Sequence, residues 1–258
     1  MEHPAISLIF VNYRSARYLE KALRSLFRAE NQGTFEVIIV NNDASESKTL
    51  HSFQRAYPIQ VLEAGGNKGF GTAANLGAEA ARGTVLGFLN PDVEWPGKQL
   101  EAIQEVFSSS SEPAVLGISL LDASGKEARF GRGQEVSLLR IIRNHLPLQN
   151  TSSREVAWVS GGALFIPRTF FQKIKGFDQE FFLYYEDVDL CKRARQEGAA
   201  IRFDPRFTVT HFGGKSQDSR SLQKERYYAS QKRYFEKHRI LFEQQLLFLF
   251  HRFRNFFL

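Results

Sequence analysis

Short apolar runs recur along the first half of the chain, separated by stretches in which apolar residues return every three or four positions. Residues 6–11, 37–40, 60–62 and 84–89 read as buried strands. Residues 16–29, 48–56 and 72–81 read as the helices between them. This alternation predicts an α/β fold: a mostly parallel central sheet with helices on both faces. In such sheets the binding crevice lies beyond the carboxyl ends of the strands. Three polar loops follow three of the runs: Asn12-Tyr13-Arg14, Asn41-Asn42-Asp43-Ala44-Ser45 and Asn90-Pro91-Asp92. They are expected to converge on one site.

Past residue 90 the pattern loosens. A helix is expected over 98–107 and a strand over 115–120. Residues 122–150, with Gly125, Gly131 and Gly133, read as an irregular excursion or a loop over a site. The apolar run 156–166 is broken by Gly161-Gly162. Glu186-Asp187-Val188-Asp189 opens a helix that continues over 192–197 and stops at Gly198. Residues 201–203 and 208–210 read as two short strands, and 222–239 as a basic helix. No repeat or linker interrupts the chain. The expected division is a catalytic domain over 1–220 and a helical appendage over 221–258.

Composition narrows the function classes. The single cysteine, Cys191, excludes an intrachain disulfide. The net charge of +6 suits a polyphosphate substrate or an anionic membrane. No C-x-x-C pattern or RNA-binding aromatic motif points to nucleic acid. The first apolar run is too short to span a bilayer and has no basic leader, so no signal peptide is expected. Residues 246–258 mix aromatics with arginines and are interrupted by charge. They suit an interfacial segment on anionic lipid, or packing on the domain or on a second copy in a homodimer.

Four constellations carry candidate chemistry. Pro91 removes a backbone donor and ends its strand, exposing Asp92. A carboxylate there can hold a hard cation that also takes diphosphate oxygens, unless the tripeptide is only a turn. The acids from Glu186 to Asp189 suit a helix start. The preceding Phe181-Phe182-Leu183-Tyr184-Tyr185 gives them an apolar wall, beside which a carboxylate pKa rises and general-base work becomes accessible. Helical spacing places Glu186 and Asp189 on one face and Asp187 on another, dividing the trio between capping and chemistry. Gly69, Gly71 and Ala74 match G-x-G-x-x-A, with Asp92 about 20 residues on. That dinucleotide fingerprint needs its first glycine directly after a strand. Residues 63–68 intervene here, so nicotinamide binding is not expected, although a helix start near Gly71 favours an anion. His211, before Gly213-Gly214, is either structural or a second metal ligand beside Asp92.

The order and spacing of these motifs resemble the family-2 inverting glycosyltransferases, especially the bacterial rhamnosyltransferase-like group that builds cell-surface polysaccharides. The motifs are Ile9-Phe10-Val11-Asn12-Tyr13, Val40-Asn41-Asn42-Asp43-Ala44-Ser45, Asn67-Lys68-Gly69-Phe70-Gly71 with Asn75, and Asn90-Pro91-Asp92. Ser160-Gly161-Gly162-Ala163, Gly176-Phe177-Asp178, Glu186-Asp187-Val188-Asp189-Leu190 and His211-Phe212-Gly213-Gly214 continue the series. The resemblance implies a GT-A fold, a nucleotide-diphosphate sugar donor and a divalent metal, Mn²⁺ or Mg²⁺. It also implies a saccharide acceptor, lipid-linked, at the cytoplasmic face of the membrane. Asp92 is then a metal ligand, His211 a second one, and Asp187 the base. Asn12, Asp43, Asn67, Gly69 and Asn90 would surround the nucleotide, and Gly161, Gly162 and Glu186 would face the acceptor. Two positions depart from the family pattern: Asn90 replaces the first acid of the D-x-D, and Asn41 stands where many members carry Asp. A non-catalytic sugar-nucleotide-binding protein of the same fold is the alternative, against which the presence of both Asp92 and Asp187 counts.

Overall fold

The computed structural model describes residues 4–109, 112–128, 130–145, 156–212 and 219–254. Strand β1 (Ile6–Asn12) is buried throughout. Its side chains alternate between two cores: Ile6, Leu8 and Phe10 enter one, Ile9 and Val11 the other. That is the period of two expected of a strand covered on both faces. Helix α1 (Ala16–Ala29) lays Leu19, Leu23 and Leu26 on the first core, one turn apart. β2 (Phe35–Asn41), α2 (Ser47–Phe53), β3 (Ile59–Glu63), α3 (Phe70–Ala80) and β4 (Val85–Leu89) complete the expected alternation. Then follow β5 (Val93–Glu94), α4 (Leu100–Ser108), β6 (Ala114–Leu121), β7 (Arg132–Gly133), α5 (Leu138–His145) and β8 (Trp158–Val159). The remaining elements are β9 (Ala163–Pro167), α6 (Arg168–Lys173), α7 (Glu186–Gln196), β10 (Ala200–His211), α8 (Arg220–His238) and α9 (Leu241–Arg254).

The main sheet runs β3-β2-β1-β4-β9-β6-β10-β5. Pairing is parallel from β3 to β4, and again between β6 and β10. β9 runs antiparallel to both neighbours, β4 and β6. This reversal sets the site. Leu89, at the end of β4, pairs with Ala163, at the start of β9. The residues after β4 and those before β9 therefore share one sheet edge. β7 and β8 form a separate small ladder within the stretch read as irregular.

The two short strands expected near the end of the domain are one strand, β10. Its register shifts between Asp204 and Thr208. The intervening Asp204-Pro205-Arg206 breaks the apolar pattern, because proline has no ladder donor and a polar bulge mimics a loop.

A third apolar cluster joins Phe181, Tyr185 and Val188, at the start of α7, to Tyr234 and Phe235 of α8. Leu138 and Ile141 of α5 and Leu247 of α9 close it. The helices after residue 220 thus pack on the beginning of α7. A charge cluster reinforces the contact. Asp189 is fully buried and lies 2.7 Å from Arg193 Nε, Lys237 Nζ and His238 Nε2. Burial alone would raise its pKa. The His238 hydrogen bond, the Arg193 charge and Lys237 outweigh that and hold the carboxyl down at about 2.

Asp189→Asn leaves this buried cationic group without its counter-charge and should cost about 3 kcal/mol of stability, read from the urea midpoint. The pH dependence has a defined sign. A carboxyl depressed in the fold stabilises fully above its unfolded pKa of about 3.9. Its contribution should persist above about pH 4 and disappear as pH falls towards 2; the Asn variant should lack that component.

Candidate active site

At the ends of β1 and β2 a polar network is built from buried groups. Asn12 Nδ2 donates to Asn41 Oδ1 (3.2 Å) and Glu46 Oε2 (2.9 Å), while its Oδ1 accepts from Ser15 Oγ (2.9 Å). Glu46 also accepts from the Ser15 and Ala16 amides, satisfying the first donors of α1 from another element. Asn12, expected at the nucleotide, is fully buried with its amide engaged, and it holds the loop together. Glu46 carries no local signal of this role, since it acts on a helix start some thirty residues earlier in the chain. Asp43 lies on the same loop with its side chain largely buried. It pairs with Arg14 at 3.4 Å, and its Oδ2 is buried without a hydrogen bond. Burial opposes its charge, but the Ser45 hydrogen bonds and Arg14 hold its pKa below the usual range.

The glycine loop serves packing. Gly69 has φ +84°, and a Cβ there would lie 2.3 Å from the Phe182 carbonyl oxygen. That same oxygen accepts the Phe70 amide (2.9 Å) at the start of α3. The Phe70 amide at this helix start is therefore taken by a backbone carbonyl, and the close approach of Phe182 excludes a side chain at position 69. A Cβ on Gly71 would meet Phe177 at 3.0 Å, and one on Gly77 would meet Ile9 at 2.6 Å. The dinucleotide-like spacing thus arises from a helix pressed close to its neighbours. Asn67 Oδ1 accepts the Gly69 amide (3.1 Å) and fixes the loop. Asn75 holds Phe177 through both backbone groups: its Nδ2 donates to the carbonyl (2.8 Å) and its Oδ1 accepts the amide (2.9 Å).

The β4–β9 edge brings the remaining residues together. The Asn90 amide donates to the Gly162 carbonyl (3.0 Å), and Asn90 Nδ2 lies 3.1 Å from His211 Nε2. His211 Nε2 is also 3.1 Å from Asp92 Oδ1, with both side chains largely buried. On the other side, the Gly161 amide donates to Asp187 Oδ2 (2.9 Å). Asp92 and Asp187 are therefore joined by one short path through His211, Asn90 and the two glycines. The glycines were expected to leave space for an acceptor. They also admit protein atoms: a Cβ on Gly161 would meet Phe70 at 3.3 Å, and one on Gly162 would meet Asn90 at 3.1 Å. An open cavity of about 390 Å³ adjoins His211 and is lined by Asp122, Ser124, Ala128, Phe130 and Phe212. Gly213 and Gly214 lie outside the described residues.

Two neighbouring carboxyls stand at the start of α7. Glu186 was expected at the acceptor but is buried, with Oε2 lacking a hydrogen-bond partner. Burial, and then the Asp187 charge, push its pKa well up. Asp187 is only partly buried. Burial raises its pKa, while the Gly161 and Val188 amides favour the ionised form. Two adjacent carboxylates titrate as a pair. Both carboxyls therefore bind a proton more readily than an ordinary carboxylate, chiefly because of burial, with the Gly161 and Val188 amides favouring the ionised form of Asp187. Asp187 follows a turn in which Tyr184 and Tyr185 have φ +70° and +65°.

The residues near Asp92 suit a divalent cation. The Asp92 oxygen and the His211 nitrogen stand 3.1 Å apart. Adjacent ligands of an octahedral ion with bonds of about 2.1 Å are separated by about 3 Å. Among the described residues no group of three or more His, Cys, Asp or Glu side chains could hold a metal. Two protein donors leave the other positions for diphosphate oxygens and water, the usual habit of Mg²⁺.

Comparison with known proteins places the chain in a family. The chain is 27% identical over 233 residues to the N-acetylglucosaminyl-diphospho-decaprenol L-rhamnosyltransferase of Mycobacterium tuberculosis, covering 80% of this chain and 75% of the relative. It is 26% identical to the rhamnosyltransferase WbbL of Escherichia coli, covering 84% and 86%. In fold it resembles the mannosyltransferase PcManGT from Pyrobaculum calidifontis, solved in complex with GDP-Man and Mn²⁺. That likeness has a TM-score of 0.63 at 16% identity, covering 92% of this chain and 64% of that one. The expected GT-A architecture, a mostly parallel sheet between helices with a helical tail, is borne out. Residues 7–175 match the Glycosyl transferase family 2 domain. That stretch contains every strand up to β9 and the Asn90–Asp92 edge, while Asp187 and His211 lie beyond it. On this match, which covers more than half of its length, the chain belongs to glycosyl transferase family 2.

Proposed function

We propose that this glycosyltransferase moves a deoxyhexose, rhamnose, with inversion, from a nucleoside-diphosphate donor to a saccharide on a lipid diphosphate carrier. The observation that carries the mechanism is the path from Asp92 through His211, Asn90 and Gly161-Gly162 to Asp187. Rhamnose and the lipid carrier are supported by the names of the two relatives. Asp43, with its carboxylate beside Arg14, is assigned to the nucleoside, and Asn67 and Gly69 support that loop from behind. Asp92 and His211 would hold a Mn²⁺ or Mg²⁺ ion, which supplies charge neutralisation to the departing diphosphate. Asn90 orients the His211 ring through its amide. Asp187 takes the acceptor hydroxyl proton as that oxygen attacks the anomeric carbon. The Gly161 amide fixes the direction of the carboxylate, and burial keeps its proton affinity high.

Attachment to a membrane surface completes the proposal. Ile240, Leu241 and Phe242 are each more than 60% exposed, and Phe248 and Leu249 are also open. No helix among the described residues is long and apolar enough to cross a membrane. An apolar strip of this kind on a basic chain suits the interface of an anionic bilayer, where a lipid-linked acceptor resides. The division into a catalytic unit over 1–220 and a surface-binding appendage over 221–258 belongs to the same proposal.

Asp187→Asn should reduce kcat by about 10²–10⁴ while leaving Mn²⁺-dependent nucleotide affinity unchanged; near-normal turnover would remove Asp187 from the role. In the unsubstituted protein the acidic limb of kcat/KM should lie above the ordinary carboxylate pKa of about 4, because burial raises the Asp187 pKa. Asp92→Ala should abolish the EDTA-sensitive part of dTDP binding measured by calorimetry. Equal affinity with and without EDTA in the unsubstituted protein would reject the metal assignment. Serine at Phe242, Phe248 and Leu249 should lower flotation with phosphatidylglycerol liposomes, and equal partition would reject the membrane surface.

A further inference from the structure

The turn that carries Asp187 is conformationally costly, and its support comes from a helix far along the chain. Tyr184 and Tyr185 both adopt the left-handed region, where a non-glycine side chain crowds its own backbone. Neither residue is one of those that tolerate this conformation, and two in succession persist only where surroundings over-determine them. The surroundings here belong to α8. Ser230 Oγ donates to the Leu183 carbonyl (2.8 Å), directly before the turn. Gln231 Nε2 donates to the Tyr185 hydroxyl (2.7 Å), and the Tyr227 hydroxyl lies 3.3 Å from the same oxygen. The Tyr185 ring packs on Tyr227 and Tyr234 at 5.4 and 5.5 Å. Ser230 and Gln231 are buried, though most polar residues of this helix face solvent. A helix that needed only to pack would bury apolar side chains at these positions, since buried amides and hydroxyls must find partners.

The far end of α8 is anchored as well. Lys237 reaches Asp178 and Asp189, and His238 reaches Asp189. The helix is therefore fixed at its C-terminal end to the first turn of α7 and presents hydrogen-bonding groups to the preceding turn from its middle. From the opposite side the turn segment is held through Phe182 on Gly69 and Phe70.

We propose that Ser230 and Gln231 are positioning residues, holding the Leu183–Tyr185 turn so that Asp187 keeps its reactive direction against Gly161. The proposal rests on the reading of Asp187 as the base, and its test separates the two. The full-length protein is compared with the double variant Ser230→Ala/Gln231→Leu, alone and with Tyr184→Gly added. Glycine adopts the left-handed conformation without steric cost, so it relieves the need for the clamp without restoring any contact.

Hydrogen exchange of amides 183–188 should quicken at least tenfold in the double variant, with exchange in β1 and β4 unchanged. Adding Tyr184→Gly should restore most of the protection. With dTDP-rhamnose and a synthetic N-acetylglucosaminyl diphosphate lipid, kcat should fall about tenfold at constant donor KM and recover with the glycine. Unchanged exchange at 183–188, a uniform rise across the sheet, or no recovery with Tyr184→Gly would each overturn the clamp. Unchanged kcat alongside a loosened turn would overturn it too. Should the unsubstituted protein fail to turn over these probes, the substrate reading fails, and exchange alone still decides the clamp.

Discussion

The contact on which the site depends is the docking of one turn-rich segment, Phe177 to Tyr185, onto α3. The segment is held through its backbone groups. Asn75 grips Phe177 through its amide and carbonyl, and the Phe182 carbonyl sits on Gly69 and caps the Phe70 amide. These bonds join the half of the molecule built from β1 to β4 to the helix that bears Asp187. Backbone groups buried at such a joint must be paired, so the register admits little slack. Any side chain at position 69 would push the two halves apart.

Polar groups at the β4–β9 edge are arranged against their own stability. Glu186 and Asp187 stand side by side near a buried tyrosine, and burial raises the pKa of both. Asp92 and His211 face each other across a hydrogen-bond distance. Elsewhere the same residue types are spent on cohesion: Asp189 gathers Arg193, Lys237 and His238, and Glu46 closes the first turn of α1. The difference is one of partners: Asp189 faces basic side chains that lower its pKa, whereas burial raises the pKa of Glu186 and Asp187, and Glu186 Oε2 has no hydrogen-bond partner.

The C-terminal helices belong to this arrangement. The stretch matching the family ends at residue 175, before Asp187 and before α8. α8 places tyrosines and buried polar side chains against the turn at 184–185, and α9 continues into the exposed apolar strip. The surface proposed for the lipid-linked acceptor and the residue proposed to activate that acceptor are thus mechanically contiguous.

Much of this was legible in the sequence. Period-two burial in 6–11 and 37–40, helical stripes such as Leu19, Leu23 and Leu26, and polar residues at strand ends follow from local geometry. They fixed the fold class and singled out Asn90, Asp92 and Asp187. Other features depended on partners far away in the chain. Whether Gly69 answers a phosphate or the Phe182 carbonyl, whether Asn12 meets a ligand or Asn41 and Glu46, and which of three acids stays free are decided by what packs opposite. The antiparallel entry of β9 decided most of all, since it sets Gly161-Gly162 beside Asn90. Periodicity reports which face of an element is buried. It does not report the direction of a strand or the identity of its neighbour, and on those the meeting of Asp92 and Asp187 rests.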